Sequence, residues 1–309
     1  MRIAVPMTVL ATAFTCTLAT APAHARGRVF VASYGNDSNP CTFGSPCKTF
    51  QNAVNTVDAG GEVTAIDSAG FGPINITKAV TITSPDGVEA GIVPTPGGNA
   101  ITINTTGDVF LRGLTLEGEN SGYDGISLTS ADTVVGIVHC VIRHFTHDGI
   151  ALLPNGNLTL SILNTIASNN GNDGITITPQ LPGTNVTGVI DHATTSHNAN
   201  GTGIYVTSAS GNAFITIINS VSSNNFNYGI STYSTVGPGL LVTVRDTVTA
   251  HNKVGFFADG NSAMTFAHST AIDNGNDVYI NTNATGVSYG DNHFATKVVS
   301  GTLIHQTLF

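Results

Sequence analysis

The densest group of ionisable side chains in the sequence is Arg143-His144-Phe145-Thr146-His147-Asp148. Asp148 precedes a glycine, and Asp124 and Asp173 also precede glycines, 24 residues earlier and 25 residues later. If segments at this spacing stack at the separation of strands, ~4.8 Å, the three carboxylates form one ridge. Carboxylates that lie so close raise one another's pKa or bind a cation such as calcium.

This ridge predicts a candidate catalytic set of five residues: Asp124, Asp148, Asp173, Arg143 and His147. The carboxylates and the imidazole supply groups for acid–base chemistry. An elimination reaction would also need a base beside a bound cation, and Arg143 is the nearest candidate in this register. The alternative is a structural role, because Asp-Gly is favourable turn chemistry before a strand.

A second candidate site is a stripe of aromatic side chains at one outward strand position. Tyr205, Phe257 and Tyr279 share that position, and Tyr233 and Asp259 come two residues later in their own segments. Exposed aromatic rings can stack on sugar rings, so the stripe predicts a substrate-binding face. The alternative is the ordinary preference of aromatic residues for strands.

Both candidate sites depend on a repeat that positions them. A segment of the form Gly, Ile or Phe, polar, apolar recurs with intervals of 24, 25, 29, 26 and 26 residues, at Gly125, Gly149, Gly174, Gly203, Gly229 and Gly255. A period in the twenties that carries short alternating strands is typical of a solenoid. Alternation places one apolar set inside, which predicts ten core residues: Ile101, Ile103, Ile126, Leu128, Ile150, Leu152, Ile175, Ile177, Ile204 and Val206.

Two polar columns run in phase with the glycines. The first is Asn170, Asn198, Asn225, Asn252 and Asn274, with His144 in the equivalent place one turn earlier. We expect these Asn residues to adopt left-handed backbone conformations and to join their amides into a ladder. The second column is His139, Asn164, His192, Asn219, Asp246 and His268, which we interpret as turn residues.

The start of the chain has the pattern of a secretory signal. Arg2 precedes an apolar run from Ile3 to Ala21, and Ala23-His24-Ala25 follows as an Ala-x-Ala cleavage site. No other stretch is apolar for long enough to span a membrane. We therefore predict a signal peptide over 1–25 and export to the periplasm or the extracellular space. Cys41 and Cys47 are expected to form a disulfide there, while Cys140 lies on an apolar strand.

The remaining chain divides into a cap over 26–59, the repeated turns over 60–290 and a carboxy-terminal cover over 291–309. Removal of Arg2 with the signal leaves nine Lys and Arg against 19 Asp and Glu. This balance excludes nucleic acid and anionic membranes as expected partners. We expect a monomer.

The run from Val31 to Ala53 contains Gly35-Asn36-Asp37-Ser38-Asn39-Pro40 and Lys48-Thr49-Phe50-Gln51-Asn52-Ala53. It resembles the amino-terminal segment of secreted right-handed parallel β-helix proteins of the pectate-lyase-like superfamily. The cysteine pair and Gly60-Gly61-Glu62-Val63 resemble a bacterial subset whose function is unassigned. The resemblance implies an all-β, single-stranded right-handed parallel β-helix with a short amino-terminal cap.

The resemblance implies no single activity, because this superfold hosts lyases, hydrolases, epimerases and non-catalytic proteins. The Asn-Thr-Asp, Asp-Asp, Gly-His-Gly and Arg-Ile-Lys signatures of polygalacturonases are absent from the sequence. Two function classes therefore stay open. One is an exported protein that binds or cleaves polysaccharide, as a lyase or a glycoside hydrolase, and the other is a non-catalytic adhesive or structural β-helix protein at the cell surface.

Overall fold

The fold is set by short segments of alternating β-branched and polar residues, which favour strands with one buried face. A computed structural model describes residues 27–130, 132–235, 237, 239–295, 298–300 and 303–306. The predicted signal peptide lies outside the described residues. Within them, the chain winds as a parallel β-helix made of three long sheets.

The first elements are β1 (Arg28–Val31), α1 (Phe50–Thr56), β2 (Gly61–Ala65), β3 (Ala69–Gly70), β4 (Ile74–Ile76), β5 (Val80–Thr83), β6 (Ala90–Ile92), β7 (Ile101–Ile103), β8 (Val109–Arg112), β9 (Leu114–Glu117) and β10 (Ile126–Leu128). The next are β11 (Thr133–Val138), β12 (Val141–Arg143), β13 (Ile150–Leu152), β14 (Leu158–Leu163), β15 (Ile166–Ser168), β16 (Ile175–Ile177), β17 (Asn185–Asp191), β18 (Thr194–Ser196), β19 (Ile204–Ser208), β20 (Asn212–Ile218) and β21 (Val221–Ser223). The last are β22 (Tyr228–Ser234), β23 (Leu240–Arg245), β24 (Val248–Ala250), β25 (Val254–Gly260), β26 (Ser262–Ala267), β27 (Thr270–Ile272), β28 (Asn276–Ile280), β29 (Thr285–Tyr289), β30 (His293–Phe294), β31 (Val298–Ser300) and β32 (Leu303–Gln306).

From β2 onward, successive strands enter sheet 1, sheet 2 and sheet 3 in turn, and β1 adds the first strand of sheet 1. Among the described strands, sheet 1 has twelve members and sheets 2 and 3 have ten each. The register keeps the repeat in phase, so that Ile175 of β16 pairs with Ile150 of β13 on one side and Ile204 of β19 on the other. The parallel β-helix predicted from the sequence is confirmed.

The core is a column of apolar side chains enclosed by the three sheets. All ten residues that the alternation predicted as inward-facing are buried. Burial of each such side chain contributes about 1.5–3 kcal/mol. A single turn could not bury these side chains by itself and would not be stable alone. Stacking therefore makes the turns stable as a set.

The predicted asparagine ladder is present in the turn between sheets 2 and 3. The Nδ2 of Asn170 donates to Oδ1 of Asn198 at 3.2 Å, and that of Asn198 to Oδ1 of Asn225 at 2.8 Å. The bonds continue through Asn252 to Asn274, at 3.1 Å each. All five side chains are buried, so the ladder satisfies amides that have no access to water.

Two expectations about the ladder were wrong. The left-handed residue is the one before each ladder Asn, such as Asn169 with φ 56° and His197 with φ 56°. His144 belongs to that column, with φ 59°, and the ladder position beside it is Phe145, whose backbone N–H donates to Oδ1 of Asn170. The bend is therefore made one residue before the side chain that secures it. The column from His139 to His268 has positive φ throughout, as turn residues require.

The segment predicted as a cap contains, in its described part, β1 and the only helix among the described residues. The side chain of Thr49 caps α1 by accepting from the backbone N–H of Asn52 at 3.2 Å. Cys41 and Cys47 form a disulfide, with Cα atoms 4.6 Å apart. No helix in the described part of the chain is long and apolar enough to cross a membrane.

The carboxy-terminal segment was predicted as a cover over 291–309. Its described residues add β30, β31 and β32 to sheets 2, 3 and 1, respectively.

Cys140, placed on an apolar strand by the sequence, is a buried free thiol just before β12. Burial raises the pKa of this thiol to about 11, so it stays protonated at neutral pH.

We predict that Asn198→Leu destabilises the protein by about 2–6 kcal/mol. The substitution leaves both the backbone N–H and the Nδ2 of Asn170 without the oxygen that they share, and each unpaired buried donor costs about 1–3 kcal/mol. Urea denaturation would measure the loss. The matched control is Asn104→Leu, because Asn104 is exposed just after the end of β7 and its variant should change stability by less than about 1 kcal/mol. Equal stability of the two variants would contradict the ladder's contribution.

Candidate functional site

The three ridge carboxylates lie on successive turns, two residues before the first residues of β10, β13 and β16. Each uses Oδ1 to accept a backbone N–H from the next turn: Asp124 from Asp148 at 3.1 Å, Asp148 from Asp173 at 3.0 Å, and Asp173 from Thr202 at 2.6 Å. All three side chains are buried. The ridge therefore helps to join the turns, as a second ladder beside the Asn one.

His147 lies beside the first two carboxylates of this ridge. Its Nδ1 lies 2.8 Å from Oδ1 of Asp124 and 3.8 Å from Oδ1 of Asp148, and its ring stacks on Tyr123 with centroids 4.6 Å apart. Burial alone would lower the pKa of His147, but the hydrogen bond to Asp124 and the charge of Asp148 outweigh it and raise the pKa. The ring is thereby held on the outer surface of the ridge.

Asp124, His147 and Asp148 could offer three ligand atoms to a metal, since these atoms lie within 4.8 Å of one another. Calcium takes six to eight oxygen ligands. Here one of the three ligands is a ring nitrogen, and Oδ1 of Asp148 already accepts from Nδ2 of Asn172 at 2.8 Å. The donor set therefore fits calcium poorly and fits a hydrogen-bonded network well.

Asp173 differs from the other two carboxylates in its surroundings. Burial and the neighbouring charge of Asp148 raise the pKa of Asp173 to about 6. Its Oδ2 accepts from the hydroxyl of Thr176 at 3.0 Å. Burial also raises the pKa of Asp124, against the lowering effect of His147. Asp173 is thus a carboxyl group that exchanges its proton near neutral pH.

A groove over the outer face of sheet 3 brings Asp173 together with the aromatic stripe. It has a volume of about 470 Å³ and is lined by Asn172, Asp173, Asn200, Gly201, Thr202, Tyr205, Asn227, Tyr228, Ser231, Tyr233, Phe257 and Asp259. The lining includes four of the five predicted substrate-binding residues and one of the five predicted catalytic residues. Tyr279, the remaining member of the stripe, extends it beyond Phe257, with ring centroids 5.6 Å apart.

The sequence missed Tyr228, which supplies the closest ring contact of the groove. Its ring stacks on Phe257 with centroids 4.3 Å apart and an angle of 9°. Ser231 pairs between Tyr205 and Phe257 in the sheet, and its small side chain leaves room for this ring. A signal was available, because Tyr228 precedes Gly229 just as Asp173 precedes Gly174. The residue before the glycine is therefore a carboxylate at Asp173 and a phenol at Tyr228, at two places along the groove.

The polar groups of the groove are fixed in place. Oδ1 of Asp259 accepts from Nδ2 of Asn281 at 2.8 Å and from the backbone N–H of Gly260 at 2.7 Å. Burial raises the pKa of both Tyr205 and Tyr228, so both phenols keep their protons at neutral pH. The groove thus presents aromatic faces, hydroxyl donors and two carboxylate acceptors to a ligand.

Arg143 lies elsewhere, at the end of β12 in sheet 2. Its Nε is 2.8 Å from Oε2 of Glu117, whose Oε1 lies 2.6 Å from Nδ1 of His144. Burial would raise the pKa of Glu117, but the hydrogen bonds from His144 and Arg143 lower it. Arg143 and Glu117 line a different cavity, of about 400 Å³, over sheet 2. The predicted catalytic set is therefore divided between the ridge, the groove and sheet 2.

Comparison with known proteins supports the architecture. A search of curated protein sequences found no match. Among solved structures, pectate lyase Pel9A is 16% identical with a TM-score of 0.60, over 83% of this chain and 78% of that one. A rhamnogalacturonan lyase is 14% identical with a TM-score of 0.54, over 90% of this chain and 86% of that one. At these identities the likeness shows a shared fold.

The family described as "Right handed beta helix region" matches the sequence over residues 78–240, more than half of its 309 residues. The matched stretch spans β5 to the start of β23, which includes the ridge and part of the groove. The family match agrees with the three parallel sheets and with the shared fold of the two lyases. The chain belongs to the right-handed β-helix family.

Proposed function

We propose that this protein is an exported, monomeric carbohydrate-binding β-helix protein that holds an extended polysaccharide chain in the groove over sheet 3. One observation carries the proposal: the groove joins Asp173 and Asp259 to the rings of Tyr205, Tyr228 and Phe257 in one cavity. The rings offer faces on which sugar rings stack, and the carboxylates and phenols offer partners to sugar hydroxyls.

The shape of the groove favours a chain over a small isolated ligand. Its lining comes from β19, β22 and β25 and from the turns before β16, β19 and β22, so successive turns of the β-helix offer similar contacts. Tyr279 on β28 carries the aromatic surface one strand further. A ligand with a repeating backbone matches such a repeated surface.

Two further observations support export and a glycan partner. The Cys41–Cys47 disulfide suits an oxidising compartment, in agreement with the signal predicted over 1–25. The two solved structures that share the fold are named as lyases of pectate and of rhamnogalacturonan, which are polysaccharides. The proposed compartment is the periplasm or the extracellular space.

Cleavage of the bound chain is a second candidate function, and Asp173 is the observation that favours it. A carboxyl group with a pKa of about 6 can donate a proton to a leaving glycosidic oxygen near neutral pH. Asp124, Asp148 and His147 would act on Asp173 through the ridge, while Arg143 would act only if a ligand reached sheet 2. The proposed chemistry routes no step through calcium.

Carboxylate spacing makes binding the better supported function. Glycoside hydrolysis generally uses two carboxyl groups roughly 5–9.5 Å apart. Asp173 precedes β16 and Asp259 lies on β25, three strands away in sheet 3, so their backbones are at least ~14 Å apart at strand spacing. Asp148 is one turn from Asp173, but it is not part of the groove lining and its Oδ1 accepts from Nδ2 of Asn172.

We predict that Tyr228→Ala weakens binding of a polysaccharide ligand by roughly 2- to 13-fold, the value of one aromatic stacking contact. Affinity electrophoresis against a panel of acidic and neutral polysaccharides, with calcium or with EDTA, would measure it. Reducing ends and unsaturated products would be assayed in the same mixtures. The control is Tyr34→Ala, because Tyr34 is 66% exposed on the cap, away from the groove.

The outcomes of this assay separate the function classes. Binding that is lost in Tyr228→Ala and kept in Tyr34→Ala places the ligand in the groove. Product formation that disappears in Asp173→Asn establishes cleavage. If the wild-type protein neither binds nor cleaves any polysaccharide of the panel, the proposed function is refuted and an adhesive or structural role is left.

The proton-donor role also predicts how stability depends on pH. Because the pKa of Asp173 is about 6 in the folded protein against 3.8 for an ordinary Asp, the folded state binds the extra proton between these values. Asp173 therefore lowers the free energy of unfolding as pH rises from about 4 to 7, by roughly 3 kcal/mol. In urea denaturation, Asp173→Asn should gain stability relative to wild type over this range. A constant difference between the two proteins at pH 4 and pH 7 would contradict the raised pKa.

A further inference from the structure

The chargeable carboxyl groups that line the groove over sheet 3 are all acidic. Asp173 and Asp259 are the acidic side chains of its lining, and none of the described lining residues is Lys, Arg or His. Lys253, the residue before β25, lies outside this lining, and the two arginines that flank the ridge and the groove in sequence have acidic partners elsewhere. Arg143 pairs with Glu117, and Arg245 pairs with Asp246 at 3.0 Å.

The two carboxylates are held in position by the fold. Asp173 is held by the backbone N–H of Thr202, and Asp259 by Nδ2 of Asn281. Neither group can swing out of the groove without breaking these bonds. A negatively charged ligand would therefore meet fixed negative charges at both ends of the aromatic surface.

The other polar groups of the groove are neutral. They are the phenols of Tyr205, Tyr228 and Tyr233 and the side chains of Asn200, Asn227 and Ser231. Ser231 Oγ is buried and has no hydrogen-bond partner within the described structure, although its residue lines the cavity. Such groups recognise uncharged hydroxyls and do not offset the charge of a carboxylate.

We propose that the groove selects uncharged polysaccharides over polyuronates. The inference rests on the proposed function, since it names the substrate class of the same groove. The repulsion between two unit charges about 6 Å apart weakens binding. The affinity falls roughly threefold at the dielectric constant of water and roughly a hundredfold at the effective dielectric constant of a protein surface. With two carboxylates and no cation in the lining, each uronate residue bound here incurs this repulsion.

The test compares ligands that differ only in charge. Polygalacturonate and polymannuronate oligomers would each be paired with the carboxyl-reduced form of the same oligomer, which keeps the linkage and replaces each carboxylate by a hydroxymethyl group. Calorimetry in EDTA at low ionic strength would give the two affinities of each pair. The reduced form should bind at least roughly tenfold more tightly, and added salt should narrow the ratio.

Asp259→Asn identifies the source of the selectivity, because the amide oxygen can still accept from Asn281. The variant should reduce the ratio within a pair by roughly threefold or more. Asp86→Asn removes the same charge from a side chain that is 97% exposed, outside the groove lining, and should leave the ratio unchanged. An equal effect of the two substitutions would overturn the assignment to the groove.

The result distinguishes this inference from the proposed function. Tighter binding of a polyuronate than of its reduced form overturns the selectivity and leaves polysaccharide binding intact. If neither member of any pair binds, nor any neutral polysaccharide of the panel, the proposed function itself fails. A preference for the carboxyl-reduced forms that becomes smaller in Asp259→Asn supports both the selectivity and the proposed polysaccharide binding.

Discussion

The hydrogen bonds between buried amides of the asparagine ladder are the interaction on which the rest of the structure depends. They run through five successive turns and fix the bend by which the chain passes from sheet 2 into sheet 3. Ladder amides also help to restrict Gly149, Gly174 and Gly255 to glycine. A Cβ added at Gly174 would lie 2.9 Å from Nδ2 of Asn198 and 2.6 Å from the carbonyl oxygen of Gly203, too close for a side chain.

The residue before each of the repeated glycines is where structure and function meet. At Asp124, Asp148 and Asp173 it carries a carboxylate that accepts an N–H from the next turn. At Tyr228 the same position carries a ring that stacks on Phe257. A position whose backbone is held by the ladder can change its side chain without loss of the turn. One column therefore joins turns along the ridge and contributes a ring to the groove.

The groove forms where these two uses adjoin. Asp173 is the last carboxylate of the ridge, and Thr202 and then Tyr228 follow it on the next turns. The carboxylate therefore faces aromatic rings on one side and the buried ridge on the other. This position accounts for the raised pKa of Asp173, because burial and the charge of Asp148 both disfavour its ionised form.

The sequence by itself determined the fold, the ten core positions, the asparagine ladder and the cysteine pair. The solenoid, the core positions and the ladder follow from periodicity, since residues at the same place in the repeat must stack when strands pair in register. The resemblance to known β-helix proteins implied the right-handed form, and the predicted export implied the disulfide. It also placed four of the five stripe residues in what proved to be one groove. It misassigned His144 to the ladder, because the bend occupies the residue before the amide and this one-residue offset is invisible in the spacing.

Only the tertiary structure decided which candidate residues share a site. Arg143 and His147 are close in sequence, but the turn between sheets 2 and 3 sends Arg143 to Glu117 and His147 to Asp124. Asp173 and Tyr205 come from different repeats, yet the register of β16 with β19 places them in one groove. The ring of Tyr228 could be assigned to that groove only once Ser231 was seen to leave space for it. Side-chain direction and local packing decide these contacts, and neither is contained in the spacing of the repeat.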